Sequence, residues 1–585
     1  MKRMQAAPLS TWRFHAVVAV LCCLLLMLVW RVLSLQILNL EHGYEFLQDQ
    51  GEQRSVRIAE IPAYRGVITD RRGEPLAVST PVVSIWANPR LLKDSPRLDE
   101  LAQALGMPLS ELKEKLARYD GKQFMYLLRQ QVPAHAREIL DKKFDGVFGE
   151  REYQRFYPAG EVAAQLVGFT NVDGQGIAGV ELEYNNWLQG TPGKKKYIKD
   201  LHGEVVRDIG VLKPAQSGKN MMLSIDLRLQ YSQQRELQRQ VTALHAASGS
   251  AVTLDVRTGE VLAMVNYPVY NPNAQKVGNP DAMRNRAITD MYEPGSTMKA
   301  LTMVAALESG RFTPDTIIDT NPGRIRVGPK VFPDPVNYGI CTLTRVLQKS
   351  SQVGVTKIAL NLGYEPILEV FQRFGIGKAP GTGFPGESAG ILPSHTVWYA
   401  TDRVTLAFGY GVTATPLQIA SAYSVFANHG VQMPVSLLAL KGEVPAGKQI
   451  ISRQVADQLL AMLHTVTADE GTAKKARVPG YEVGGKTGTA RIMGRNGYQE
   501  NNYVALFTGI APIDDPRIVT IVVINDPKGP NNHGGTAAAP AFSEMTRDTL
   551  RILHVPPSAT ATADKAKKGT ATVGEAAKPA PRGTT

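Results

Sequence analysis

The chain has 585 residues, a formal net charge of +12, 43% hydrophobic and 20% charged residues, which is the composition of an ordinary globular protein long enough for several domains. The positive balance is scattered and meets no nucleic-acid-type motif, so nucleic-acid binding is excluded as a reading. Cys22 and Cys23 lie in an apolar run and only Cys341 stands elsewhere, so a disulfide framework and a cysteine-based zinc site are both ruled out.

The ten histidines show no HExxH or similar spacing, and neither a metal nor a cofactor is expected. From Phe14 to Trp30 the chain is almost unbroken apolar sequence, extended by Val32, Leu33 and Leu35. A membrane span over 14–38 follows, since about 20 apolar residues cross a bilayer. Lys2, Arg3 and Arg13 precede it and Glu41, Glu45 and Asp49 follow it. By the positive-inside rule residues 1–13 stay cytoplasmic and the rest is exported. A cleaved signal peptide is the competing reading. The apolar stretch is long for one, and no small-x-small site follows Trp30, so a permanent anchor is preferred.

Residues 50–215 predict a mixed strand, helix and loop module. The stretch RGVITDRRGEPLAVSTPVVSIWANP alternates apolar and polar residues around an Asp-Arg-Arg-Gly turn, as a hairpin does. RLDELAQALGMPLSELKEKLARY predicts two short amphipathic helices, with Pro108 starting the second. The stretch from Gln154 to Asn185 reads as a helix between Gly/Pro turns, and Lys194–Lys199 as a solvated turn and strand edge. No nucleophile-plus-base arrangement occurs here.

Residues 220–555 have another texture. A helix is predicted from Leu227 to about Ala247, then a hairpin about Arg257-Thr258-Gly259. After a helix-rich middle, three strand-like runs follow: YEVGGKTGTARIM, YVALFTGIAP and RIVTIVVIND. Strands at both ends with helices between predict one α/β domain whose first and last strands share a sheet. Gly381–Gly386 matches GxGxxG, but it contains Pro385 and opens no helix, so it is a loop and not a dinucleotide site. Residues 556–585 are rich in Ala, Thr, Lys and Pro and are expected to be disordered.

Chemistry gathers at EPGSTMKAL, Glu293–Leu301. A helix is predicted over 297–309, which places Ser296 at its amino terminus. Serine is a preferred helix cap, and that is the structural alternative to a nucleophile. Against it, Lys299 shares the helical face with Ser296 at i, i+3. A lysine in the first turn also opposes the helix dipole, so local stability does not account for it. Two further stretches accompany this one: KSSQVG, Lys349–Gly354, and GGKTGTA, Gly484–Ala490.

Together the three resemble the SxxK, SxN and KTG motifs that surround one cleft in penicillin-recognising serine transpeptidases and β-lactamases. Arg65–Ala77 and Arg155–Phe169 resemble the amino-terminal module of class B penicillin-binding proteins. The stretches DVRTGEVLAMVNYPVYNPN and AFGYGVTATPLQIASAYSVFAN resemble their transpeptidase domain, in order, from about residue 50 to 550. The resemblance is close to the FtsI-like, division-type enzymes of Gram-negative bacteria. The resemblance implies an inner-membrane, single-pass protein with a transpeptidase/β-lactamase-like α/β domain in the periplasm, on a mixed α+β pedestal.

It implies a DD-transpeptidase that cross-links peptidoglycan stem peptides through a Ser296 acyl-enzyme and is acylated by β-lactams. Lys299 would be the general base and Ser350 the proton relay. Lys486, Thr487, Gly488 and Thr489 would line the carboxylate-binding strand, and the N–H groups of Ser296 and Thr489 the oxyanion hole. No second catalytic region is present, so glycan polymerisation is expected from a glycosyltransferase partner, among other division-complex membrane proteins. One position departs: SxN reads Ser350-Ser351-Gln352, and the added methylene displaces an amide expected to contact substrate. A β-lactamase and a catalytically silent division scaffold are the competing functions. The anchor and extra module speak against the first, and the retained Ser296, Lys299, Ser350 and Lys486 against the second.

Overall fold

A computed structural model of the chain describes residues 11–36, 56–199, 205–274, 278–494 and 497–558. The apolar run folds as one helix, Thr11–Gln36. Its Thr11–Ser34 segment has a mean hydropathy of 2.7 and is long and apolar enough to cross a membrane. The expected residues 1–10, 37–38 and 559–585 fall outside the described residues.

The chain divides into two compact units that do not follow chain order. One comprises Met1–Tyr64, Pro81–Tyr153 and Gly190–Gly218; the other comprises Arg65–Thr80, Gln154–Gln189 and Lys219–Thr585. In the first unit the two amphipathic helices form as expected, Leu98–Leu105 and Leu109–Arg118, with Pro108 as the cap of the second. Their apolar stripes, Leu101, Leu105, Leu112 and Leu116, close a small core over Ile85, Leu127 and Ile139. The lysine-rich run is not a turn at a strand edge. Gly193–Lys199 is the middle strand of a three-stranded antiparallel sheet, between Val56–Ile61 and Val205–Lys213.

The second unit takes in 65–80 and 154–189 from the expected 50–215 module, for an electrostatic reason. Glu181 is wholly buried and accepts from Arg65 Nε at 2.7 Å and Arg155 Nε at 2.6 Å. Asp70, also wholly buried, closes the Asp-Arg-Arg-Gly turn through the N–H groups of Arg72 and Glu74, both at 2.8 Å. Its other oxygen accepts from Leu227 N at 2.9 Å. The hairpin expected there forms, with Ile68 opposite Ala77. The stretch expected as one helix after Gln154 is instead several one-turn helices, Ala164–Val167, Gly179–Glu183 and Asn185–Leu188. Glycines at 168, 174, 176 and 179 interrupt it.

The core of this unit is a five-stranded sheet: β1 Ser248–Asp255, β2 Val261–Tyr267, β3 Gly484–Gly494, β4 Gly497–Ala511 and β5 Ile518–Asn525. The order is β2-β1-β5-β4-β3, antiparallel throughout. First and last strands therefore share one sheet, as the sequence predicts. Helices cover both faces, which explains why these strands read as continuous apolar runs. Val252, Leu254, Ile521 and Val523 pack into the core that holds helices Lys299–Glu308 and Pro416–Ala427. Their alternating neighbours Ala251, Val522 and Ile524 meet Leu237, Val241, Phe542 and Met545 on the other side. The helix Leu227–Ala243 ends four residues earlier than expected. The segment 381–386 is a loop. Pro556 to Ser558, expected within the tail, are ordered against the sheet unit: Ser558 N–H donates to Gly480 O at 3.0 Å, and its hydroxyl to Asp514 at 2.9 Å.

Candidate active site

Ser296 lies on a 3-10 turn, Gly295–Met298, that runs into the helix Lys299–Glu308. Its hydroxyl caps neither element, so the capping alternative fails. The turn is built from the sheet outward. The buried helix Pro416–Ala427 lies against β1 and β5, and its wholly buried Tyr423 donates from Oη to Thr297 O at 2.7 Å. On its other side the turn meets the edge strand β3. Gly295 has φ +53°, and a Cβ there would stand 3.2 Å from Thr489 O. At Gly488 a Cβ would stand 2.7 Å from Pro294 O and 2.0 Å from Leu506 Cδ1. Glycine at both positions lets backbone approach backbone. In the first turn of a helix the N–H groups have no intrahelical acceptor, so the Ser296 N–H is available to an oxyanion.

Lys299 and Lys486 are buried, 1% and 0% exposed, and both reach Ser350. Lys299 Nζ donates to Ser350 O at 2.7 Å and lies 3.2 Å from Ser350 Oγ. Lys486 Nζ lies 3.0 Å from the same Oγ and 3.3 Å from Thr487 Oγ1. Two lysine nitrogens thus converge on one hydroxyl. Burial pushes the Lys299 ammonium down to about 7, with the Asp334 carboxylate opposing. Burial, then the charge of Lys299, pushes Lys486 well below its ordinary value. Phe408 adds an aromatic face 5.5 Å from Lys299 Nζ.

Ser350 sits between helices Leu343–Lys349 and Gln352–Leu362 with φ +57°, a left-handed conformation uncommon for a residue with a side chain. Asp334, which no sequence pattern singled out, holds this corner. It accepts from Ser351 Oγ at 2.6 Å, Gln352 N at 2.5 Å and Val353 N at 3.3 Å. Ser351 in turn caps the second helix by accepting from Gly354 N. Gln352 is half-buried at the first helical position, and among the described residues its amide makes no hydrogen bond.

On β3, Thr487 and Thr489 share one face of the strand and are half-buried. Thr489 Oγ1 accepts from Gly534 N at 3.0 Å, which leaves its proton to donate. A second clamp was missed although Glu293 stands in the quoted motif. Tyr498 Oη, on β4, lies 3.0 Å from each Glu293 carboxylate oxygen, and Gly411 N donates to Glu293 at 2.9 Å. The strand pair β3–β4 is thereby tied to the residue three before Ser296. Of the expected site residues, Lys299, Ser350, Lys486 and Thr487 meet through hydrogen bonds, and Thr489 and Gly488 meet the Ser296 turn by packing. The Ser296 hydroxyl and the Gln352 amide are bonded to none of them.

A hydroxyl on a helix-starting turn, three residues before a buried lysine of lowered pKa and packed against an edge strand that carries two hydroxyls, is an arrangement chemically suited to serine acyl transfer. Residues 249–547 match the penicillin binding protein transpeptidase domain and residues 60–223 the penicillin-binding protein dimerisation domain. The chain belongs to the penicillin-binding protein transpeptidase family. It is 41% identical over 569 residues to the peptidoglycan D,D-transpeptidase FtsI of Escherichia coli K12, covering 96% of this chain and 95% of that protein. It is 42% identical over 549 residues to the probable peptidoglycan D,D-transpeptidase PbpC of Pseudomonas aeruginosa, covering 93% and 96%. Among solved structures, a peptidoglycan synthetase from Bifidobacterium adolescentis superposes with a TM-score of 0.68 at 28% identity over 86% of this chain and 98% of that one. The transpeptidase domain of Burkholderia pseudomallei penicillin-binding protein 3 does so at 0.53 and 38% identity, over 57% and 97%.

Proposed function

We propose that this chain is a division-type peptidoglycan D,D-transpeptidase, anchored in the inner membrane by 14–38, with a pedestal at 50–215 and a periplasmic transpeptidase domain at 220–555. The observation that carries the reading is the convergence of buried Lys299 and Lys486 on Ser350, with Ser296 three residues before Lys299 and its hydroxyl capping no helix.

Lys299, as a free amine, takes the Ser296 proton while Oγ attacks the carbonyl of the D-Ala–D-Ala bond. The Ser296 and Thr489 N–H groups receive the oxyanion. The C–N bond breaks, Ser350 passes a proton to the leaving D-Ala amine, and an acyl-enzyme remains. An acceptor stem-peptide amine, giving a proton to Lys299, then attacks the ester, and that proton returns to Oγ as the C–O bond to Ser296 breaks. Lys486, Thr487 and Thr489 hold the terminal carboxylate, whose arrival favours the charged form of Lys486. A β-lactam follows the acylation half of this path. The glycan strands come from a separate glycosyltransferase partner.

Labelled penicillin followed by peptide mapping tests the assignment. The adduct is expected on the peptide that contains Ser296, stable for minutes, and absent from Ser296→Ala. A stable adduct on another residue would remove Ser296 from the role, and release within seconds would make the protein a lactamase. The orientation follows from Lys2, Arg3 and Arg13 before the span. Protease added to spheroplasts should digest the chain beyond residue 40 and spare residues 1–30. A soluble periplasmic product lacking those residues would overturn the anchor.

Gln352 offers a graded test. A neutral hydrogen bond is worth roughly 0.5–1.5 kcal/mol net, so Gln352→Asn should raise acylation efficiency about 2- to 13-fold. Gln352→Ala should lower it below the parent. An Asn variant slower than the parent would mean that the cleft is shaped around glutamine.

A further inference from the structure

A groove of about 480 Å³ opens on the second unit, lined by none of the residues of the three motifs, between the helix Glu365–Arg373 and the loop 393–398. Its wall is aromatic. The rings of Tyr364 and Trp398 stack with centroids 4.3 Å apart and planes 17° from parallel, and His395 meets Trp398 edge-on at 5.0 Å. Pro393 and Leu368 complete the apolar lining. Its rim is acidic: Glu365 and Glu369 are exposed and make no ion pair among the described residues. The stack already accepts one guanidinium, since Arg403 lies 5.5 Å from the Tyr364 centroid. Aromatic grooves with acidic rims are the surfaces that take polyproline II segments flanked by basic residues.

The chain carries a segment of matching composition, with two prolines between two basic residues. Residues 578–582 read Lys-Pro-Ala-Pro-Arg, within a stretch whose charges are Lys565, Lys567, Lys568, Lys578 and Arg582 against Asp564 and Glu575. It lies beyond the last described residue, Ser558, which is held to Gly480 and Asp514. About 20 residues between Ser558 and Lys578 reach up to ~70 Å when extended, whereas a globular unit of ~400 residues has a radius of gyration near ~22 Å. Such a tether gives an effective concentration on the order of millimolar.

We propose that the groove between Tyr364, Trp398, Glu365 and Glu369 is the docking site of this chain's own Lys578–Arg582 segment. The tail is thus a tethered ligand of the transpeptidase unit. A partner carrying a similar basic proline-rich segment would have to displace it.

The test uses the full-length protein in micelles, labelled with 5-fluorotryptophan, with the Trp398 signal assigned through Trp398→Phe. Removing residues 559–585 is expected to move the Trp398 resonance and leave those of Trp86 and Trp187 in place. A synthetic peptide of residues 574–585, added at millimolar concentration, should move it back. Glu365→Lys with Glu369→Lys should weaken that peptide roughly tenfold, the size expected when two exposed ion pairs become repulsions. In the full chain, Lys578→Glu with Arg582→Glu should give the truncated chain's resonance. Combining both charge reversals should restore the parent resonance, with thermal midpoints showing that each variant is folded. A Trp398 signal indifferent to the tail would leave the groove to another occupant and overturn the proposal. So would folded charge-swap variants that fail to restore it.

Discussion

Replacing Lys299 by Ala is expected to slow acylation by penicillin about 10²–10⁴-fold, the usual cost of losing a general base, while the protein remains folded. Lys299→Arg should fail as completely, because a guanidinium does not give up its proton near neutral pH. The pH profile supplies the mechanistic signature. Burial has brought Lys299 from an ordinary 10.5 down to about 7, so the free amine accumulates as pH rises through about 7. Acylation should rise over the same interval and level off above it. Folding stability carries the same group with a definite sign. Between about 7 and 10.5 the unfolded chain holds a proton on Lys299 that the folded chain does not, so stability increases with pH across that window. Below about 7 both states hold it and this contribution is constant. Acylation rates from stopped-flow with a chromogenic β-lactam, at pH 5.5 to 9, check the prediction. An Arg variant at the parent rate, or a flat profile, would remove Lys299 from the base role.

Glu181→Ala is expected to produce the largest loss of stability. The carboxylate is wholly buried between two buried arginines, Arg65 and Arg155, with N···O separations of 2.6 Å to each. Removing one partner of a buried ion cluster costs about 3–5 kcal/mol, because the remaining charges stay buried without compensation. The thermal midpoint should fall by roughly 5–15 °C. Glu181→Gln, which keeps the shape and one acceptor, should lose less. Arg65 also donates to Gly174 O, Glu181 O and Asn185 Oδ1, so the loss extends to the loops around it. Penicillin acylation per folded molecule, measured at low temperature, should stay near the parent value, since Glu181 belongs to the scaffold. A midpoint unchanged by Glu181→Ala would show that the arginines find other partners or water.

Much of the molecule is legible in its residues because local rules suffice. The apolar run to Trp30 needs only length and composition to become the helix Thr11–Gln36. Arg257-Thr258-Gly259 turns a hairpin by its own chemistry, and Pro108 and the leucines of 98–118 place two helices through their 3.6-residue period. The motifs around Ser296, Ser350 and Lys486 are legible for the same reason: each is a short fixed spacing on one element.

What local rules could not supply is which distant groups share a site. Asp334 lies between two prolines in a stretch without periodicity, and only the folded chain brings it onto Ser351, Gln352 and Val353. The Ser296 question, cap or nucleophile, is likewise undecidable from spacing. Both readings put serine at a helix start, and they differ only in where the hydroxyl goes; in the fold it caps neither the 3-10 turn nor the helix that follows. The lysine-rich strand was misplaced as an edge because pairing partners lie outside its own segment. Arg65, Arg155 and Glu181 carry no mark in the sequence of sharing one buried cluster. By itself the sequence determined most of the elements, the long apolar helix and the three motifs, because these depend on side-chain periodicity and short spacings. Tertiary structure alone decided the burial that lowers Lys299 and Lys486 and the carboxylates that orient their neighbours, because desolvation and ion pairing depend on residues brought together across hundreds of positions.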